Sequence, residues 1–196
     1  MRTHYLLAAL IGVTAATLTA AEVVNVPGSF VQYPTAIEIS SAGKATALNL
    51  TGIAIRTRII LNVYTVGSYV EAGAGVKTAE ELITCDKLKR LHLVMERTVE
   101  GKDLGEAFRS AIRLNYPEPA FNEEVGTLVS FMRSTAVRKG EHIYLTHVPS
   151  IGLHCSVAGK ADFLIKNPKF SQAVWEIYLG KNNLGDEVKK GLVSRL

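Results

Sequence analysis

The stretch that decides the fold is TGIAIRTRIILNVYTVGSYV, Thr51–Val70. It is rich in β-branched and aromatic residues, the composition that suits a pleated, half-buried surface. Alternation runs through its first part. Ile53, Ile55, Thr57 and Ile59 fall on one side of an extended chain, and Ala54, Arg56, Arg58 and Ile60 on the other. Two arginines in such a strand have two readings: the wet face of a half-buried sheet, or a cation held for a ligand. Packing the isoleucine face against helices leaves both arginines wet, and the alternation favours that arrangement. A bulge that turns Arg56 inward gives the other.

Working outward, the segments before and after this stretch sort by period. AIEI and ATALNL, upstream, are strand-like and bounded by Ser and Gly. Thr78 with Glu81 three residues on reads as a capping box opening a short helix. KLKRLHLVMERTV is another strand, with Leu91, Leu93 and Met95 on one face and Arg90, His92 and Glu96 on the other. The period then changes. Leu104, Ala107, Phe108, Ala111 and Ile112 mark one amphipathic helix, and Phe121, Val125, Leu128, Val129, Met132 and Ala136 a second. YPEP breaks the chain between them. EHIYLTHVPSIGLHCSVAGKADFLIK returns to short strands. Asn167 and Pro168 then open a helix that Gly180 closes, and DEVKKGLVSRL forms a last short one. Strands, two helices, strands, two helices is the order of an α+β fold. It predicts an antiparallel sheet with helices packed on one face and the other face able to meet water.

The amino terminus carries a different signal. MRTH is a short basic start, YLLAALIGVTAATL an apolar run, and TAA a small-residue site ahead of Glu22. That three-part pattern predicts a secretory signal peptide over residues 1–21 and a domain over 22–196. The alternative is a membrane anchor, but the run is short of the roughly 20 residues a span needs. Export to a periplasmic or secreted location follows as an expectation. The net charge of +4 falls to +3 once Arg2 is removed, and the basic residues are scattered. A nucleic-acid binder would show a basic stripe. Cys85 and Cys155 make an even count, so an oxidising compartment leaves a disulfide between them open. Two separate, partly buried thiols are the alternative.

Motifs for familiar chemistries are missing. EAGAGVKT has glycines but no phosphate-cradling pattern, and no G-x-S-x-G, HExxH or CxxC occurs. His142 and His147 differ by an odd number, so one regular strand sends them to opposite faces. His154 follows across a turn, with no carboxylate at useful spacing. Three or four convergent ligands are therefore not in sight, and neither a metal nor another cofactor is expected. Tyr64 and Tyr69 read first as core residues with satisfied hydroxyls, and second as ligand handles.

Taken together, YPTAIEI, LNLTGIAIR, NVYTVGSYVE, HVPSIGLHCSVAGK, NPKFSQAVWEIYLG and the closing VKKGLVSRL resemble the chalcone isomerase-like family, in its exported bacterial branch. The W-x-x-x-L-G element at Trp175–Gly180 followed by a basic helix is the most specific part, and the resemblance runs over residues 30–196. It implies an open-faced β-sandwich, a large antiparallel sheet with a layer of helices on one side. Some members of that family cyclise chalcones, others bind fatty acids in the same cleft, and many exported members have no assigned activity.

The enzymes hold a phenolate with an arginine and steady an enolate with hydroxyl and amide donors. Matched by position, the arginine falls near Thr51, the strand threonine on Tyr64, the helix tyrosine and asparagine on Leu104 and Ala111, and the last threonine on Ile177. None keeps the residue type, although a shift of a few residues brings Arg56 to the arginine's place. The resemblance thus implies a non-catalytic binding protein for a fatty-acid-like or other apolar ligand. Arg56, Tyr64 and Thr51 are the candidate contacts. Arg56 and Tyr64, eight apart, share a face only if the strand runs unbroken. The alternatives are an isomerase of the chalcone type and an envelope interaction module that docks through the open sheet face. Neither nucleic acid nor a lasting membrane span is expected.

Overall fold

A computed structural model describes residues 22–41, 43–134 and 136–196. The expected signal peptide, residues 1–21, lies outside them. Seven strands form one antiparallel sheet in the order in which they occur, β3-β4-β5-β6-β7-β8-β9. They are β3 (Ala36–Ser41), β4 (Lys44–Arg58), β5 (Leu61–Glu71), β6 (Lys89–Met95), β7 (His142–Val148), β8 (Gly152–Val157) and β9 (Ala161–Ile165). A separate ribbon, β1 (Val23–Asn25) with β2 (Gln32–Pro34), precedes them. The helices are α1 (Ala79–Thr84), α2 (Gly101–Arg113), α3 (Asn122–Arg133), α4 (Pro168–Leu179) and α5 (Asp186–Leu192). This is the α+β arrangement read from the sequence, an antiparallel sheet with a helical layer. Among the described residues no helix is long and apolar enough to cross a membrane.

Local chemistry explains the helix ends. Thr78 caps α1, its hydroxyl accepting from the Glu81 N–H at 3.1 Å. The Glu81 carboxylate accepts from the Lys77 N–H at 2.7 Å, one residue earlier than a closed capping box requires. Asn167 caps α4 by accepting from the Phe170 N–H at 3.1 Å, with Pro168 in the first turn, as the sequence predicts. Trp175, Phe170 and Tyr178 of α4 are buried with Leu91, Leu93, Ile143 and Leu145 of the sheet in the main core. Each such side chain contributes roughly 1.5–3 kcal/mol through burial.

The stretch Thr51–Val70 divides at Ile59–Ile60, where the sequence predicts no break. β4 and β5 form a tight hairpin, with Arg58 paired to Leu61 across a turn of Ile59 and Ile60. The turn has none of the Gly, Asn or Asp that usually announces one, so the sequence reads as one long strand. Two register shifts sit in the hairpin. One falls between Leu50 and Gly52, leaving Thr51 as the extra residue on β4. The other falls between Arg56 and Thr57.

The Thr51 bulge reverses which residues face the helices. Leu48 and Leu50 pack on the far side of the sheet, and beyond the bulge Ile53 and Ile55 pack there as well. Ala54 joins the helix-side core. The wet-face expectation for the arginines is therefore corrected: the isoleucines take the far face, and Arg56 takes the helix side. That far face is itself covered in part by the β1–β2 ribbon. The Tyr33 ring lies against Gly67, where an added Cβ would sit 2.6 Å from it. Tyr33, Leu48, Leu50, Tyr69 and Val94 make a second small core there.

Candidate functional site: a cleft under the β4–β5 hairpin

The Thr51 bulge is held by the C-terminal helix. The Thr51 hydroxyl lies 2.9 Å from the Leu192 carbonyl and 3.2 Å from that of Ser68, and the Arg195 N–H donates to the Thr51 carbonyl at 2.9 Å. Gly52 and Gly191 let the two backbones touch. A Cβ on Gly52 would fall 2.1 Å from the Gly191 carbonyl oxygen, and one on Gly191 would fall 2.5 Å from that of Ile53. Thr51 is thus a buried structural residue away from the cleft, which separates it from the other two candidate contacts.

Past the bulge, β4 and β5 carry their side chains toward α2 and α4 and roof a cleft of about 810 Å³. That volume lies within the range of small-molecule sites. Arg56 and Tyr64 both line it. They share a face as direct partners across the hairpin, not as members of one unbroken strand. Leu104 and Ala111 on α2 and Ile177 on α4 also line it. Four positions matched through the resemblance, Tyr64, Leu104, Ala111 and Ile177, therefore converge on one cavity. Of the three arginines in that cavity, Arg56, Arg58 and Arg97, the half-buried one is Arg56, five residues beyond Thr51.

The polar end of the cleft is small and well defined. The Tyr64 and Tyr178 hydroxyls are 3.3 Å apart. Burial, the dominant cause for each, holds both phenols above the ordinary tyrosine range, so both stay protonated and able to donate. Arg56 donates from Nη1 to the Leu184 carbonyl at 2.7 Å, which fixes the guanidinium and leaves other N–H donors for a ligand. One cation beside two neutral phenols can take a carboxylate by charge-assisted hydrogen bonds. Away from that end, Val63, Val99, Leu104, Phe108, Ala111 and Ile177 supply apolar wall. The sequence alone gives Tyr178 no mark of a ligand contact. Its place in the apolar run VWEIYL makes it look like core, and only the tertiary contact gives its hydroxyl a role.

A second constellation lies elsewhere under the sheet. The His147 ring is 2.9 Å from Asp86 Oδ1 through Nε2 and 2.9 Å from Ser171 Oγ through Nδ1. Asp86 is drawn down to about 2, first by the Ser150 N–H, then by His147 and the Ser150 hydroxyl. The order Asp–His–Ser resembles a nucleophile relay, but Ser171 has 0% exposure and no substrate can reach it. The cluster clamps α4 to the sheet. Beside it, Lys89 Nζ donates to the Leu82, Ile83 and Cys85 carbonyls at 2.8, 2.7 and 2.9 Å and caps the end of α1.

The other sequence candidates are dispersed. His142 lies on the far face against His92, opposite in direction to His147, as the odd spacing requires. His154 pairs with Asp162 at 3.0 Å, and Asp86 serves His147, so carboxylate partners do exist at distances in sequence that spacing alone does not reveal. Among the described residues no three His, Cys, Asp or Glu side chains gather around a metal-sized point. Tyr69 faces away from the cleft and donates to the Pro34 carbonyl at 3.0 Å. Cys85 and Cys155 are both free thiols, so the disulfide left open by their even count is not formed. Cys155 is buried on β8 opposite Leu145 and Phe163, while Cys85 lies at the end of α1.

An antiparallel sheet layered with helices, with a partly apolar cleft that holds Arg56 beside two phenols, defines a small-molecule site on an open-faced sandwich. The profile of the chalcone isomerase-like family matches residues 29–194, and the chain belongs to that family. None of the curated proteins matches it. Among solved structures, a fatty-acid-binding protein of Arabidopsis thaliana is similar in fold. Its TM-score is 0.68 at 15% sequence identity, over 88% of this chain and 96% of that one.

Proposed function

We infer that this protein is an exported, non-catalytic carrier of a fatty-acid-like ligand, held in the cleft beneath the β4–β5 hairpin. The observation that carries the reading is the pairing of Arg56 with Tyr64 across the hairpin, with Tyr178 3.3 Å from Tyr64, in a cavity whose apolar wall is supplied by Leu104, Phe108, Ala111 and Ile177. A carboxylate fits at Arg56 and an acyl chain along that wall. The likeness to a fatty-acid-binding protein supports the same ligand class. Of the four positions matched to enolate-steadying donors, Leu104, Ala111 and Ile177 donate nothing, and Tyr64 alone carries a hydroxyl. That favours binding over cyclisation. Export rests on the basic, apolar and small-residue sequence of residues 1–21. Fractionation of expressing cells, with the mass of the mature chain, tests that part.

The binding part is tested on residues 22–196, which contain every described element. Native mass spectrometry of the purified protein should show fatty-acid adducts, and titration of the delipidated protein should show saturable binding. Arg56→Gln should weaken binding by roughly tenfold or more, the scale of a hydrogen bond to a charged group, and Tyr64→Phe by less. Protein that is purified empty and binds no fatty acid overturns the proposal.

A further inference from the structure

The mouth of the cleft carries a feature that neither the fold nor the ligand explains. At the tip of the β4–β5 hairpin, Ile59, Ile60 and Leu61 are 92%, 86% and 56% exposed. Ile59 has φ +61°, a conformation that is costly for a β-branched residue and in which glycine or asparagine is at ease. Two exposed isoleucines thus stand in a turn that polar residues would make better. Local rules are broken in this way most often at functional sites.

The tip is not isolated. Asn62 donates to the Gly28 carbonyl at 3.4 Å, and Ser29 bonds Glu96, so the β1–β2 turn lies beside the hairpin. That turn presents Phe30, at 106% exposure. Leu114, 57% exposed at the end of α2, lines the same cleft as Arg58 and Val63. The hairpin that carries the tip is charged with one sign, while Glu96 meets the β1–β2 turn at Ser29. The hairpin, residues 44–70, contains Lys44, Arg56 and Arg58 and no acidic residue, and residues 23–37 contain no charge at all. Arg58 and Arg97 are exposed and line the cleft. Glu100, Asp103 and Glu106 also line it, from the opposite, α2 side, and Glu106 is taken up by Arg109 and Arg133.

We propose that Ile59, Ile60, Leu61 and Phe30 form a membrane-docking tip that inserts into the interface of an anionic bilayer, with Arg58 and Arg97 on the headgroups. An apolar tip rimmed by arginines matches both layers of such a surface: side chains for the acyl boundary and cations for anionic headgroups. Docked there, the cleft opens at the level where a fatty acid leaves the bilayer. That use rests on the carrier reading, whereas the docking itself does not.

The test is co-sedimentation of residues 22–196 with vesicles of phosphatidylcholine alone and of phosphatidylcholine with phosphatidylglycerol. Binding to the anionic vesicles is expected, falling by tenfold or more in the Ile59→Asn/Ile60→Ser variant and by about fivefold in Arg58→Glu. Circular dichroism should show both variants folded, since the replaced side chains are exposed. Fatty-acid affinity in vesicle-free buffer should be unchanged in the double variant, while the rate of fatty-acid transfer from vesicles falls. Failure to bind anionic vesicles overturns the proposal, as does binding that survives the double variant. Self-association through the tip without vesicle binding, read by sedimentation velocity, would mark it as a protein interface and also overturn it. Vesicle binding without any fatty-acid binding would sink the carrier reading and leave the docking tip standing.

Discussion

At the scale of single residues, the molecule turns on where a few backbone irregularities fall. Thr51 is the extra residue that puts Arg56 on the helix side. Had β4 run without it, Ile55 would pair with Tyr64 and Arg56 would face the second core instead of the cleft. Sequence alternation cannot reveal this, because TGIAIRTR alternates equally well on either side of a bulge. What was legible was the pair of alternatives. The choice between them depends on α5, more than 130 residues away. Ile59 offers a direct measurement. A left-handed conformation costs a non-glycine residue roughly 1–2 kcal/mol, and asparagine tolerates it. Ile59→Asn should stabilise the fold by about 1 kcal/mol and raise Tm by roughly 2–4 °C for a chain of this size. A fall in Tm would show that the exposed isoleucine contributes to folding and not only to the surface.

At the scale of elements, two contacts position the cleft. The first is α5 on the bulge. Gly191→Ala places a Cβ 2.5 Å from the Ile53 carbonyl oxygen, backbone that cannot yield cheaply. A loss of about 2–3 kcal/mol is expected, read as a lower urea midpoint. Unchanged stability would mean that α5 does not bear on the strand as described. The second is the far face of the central strands. His92 Nε2 is 2.7 Å from His142 Nδ1, with Tyr144 and Tyr33 around the ring and the Arg90 guanidinium over Tyr144. Burial first, then His142 and Arg90, push His92 from 6.5 down to about 3. The folded state therefore refuses a proton that the unfolded chain accepts below about 6.5. Stability is full above that pH and is lost as pH falls toward 3. Between pH 7 and pH 5 this one group removes about 2 kcal/mol, and His147, also lowered by burial, acts in the same direction. In His92→Leu the loss between those two pH values should shrink by about that amount. An identical loss would place the pH dependence elsewhere. The sequence shows His92 on a polar strand face but not its burial, because the cover comes from Tyr33 on β2, a strand of three residues, too short to show alternation.

At the scale of the whole molecule, the cleft is a consequence of layering. The sheet and α4 form a continuous core, and the space between the hairpin, α2 and α4 is where that packing stops, leaving about 810 Å³. The helical layer and the antiparallel sheet were legible from periods of 3.6 and 2 alone. The cleft was not, because its walls are the same apolar residues that would otherwise read as core. A cavity that sets Arg56 beside an apolar wall makes a graded prediction that a rigid ring-binding site does not. Each methylene transferred from water contributes about 0.8 kcal/mol, so affinity for straight-chain fatty acids should rise roughly fourfold per carbon until the chain fills the cleft, and then level off. Methyl esters of the same acids should bind more weakly by the amount that Arg56→Gln costs the free acids, and Arg56→Gln should bind acid and ester alike. Titration calorimetry over a series of chain lengths, repeated with the esters and the variant, measures all three relations. Affinity independent of chain length would rule out an acyl chain along the apolar wall. A full ester penalty persisting in Arg56→Gln would move the carboxylate away from Arg56 and toward Arg58 or Arg97 at the mouth.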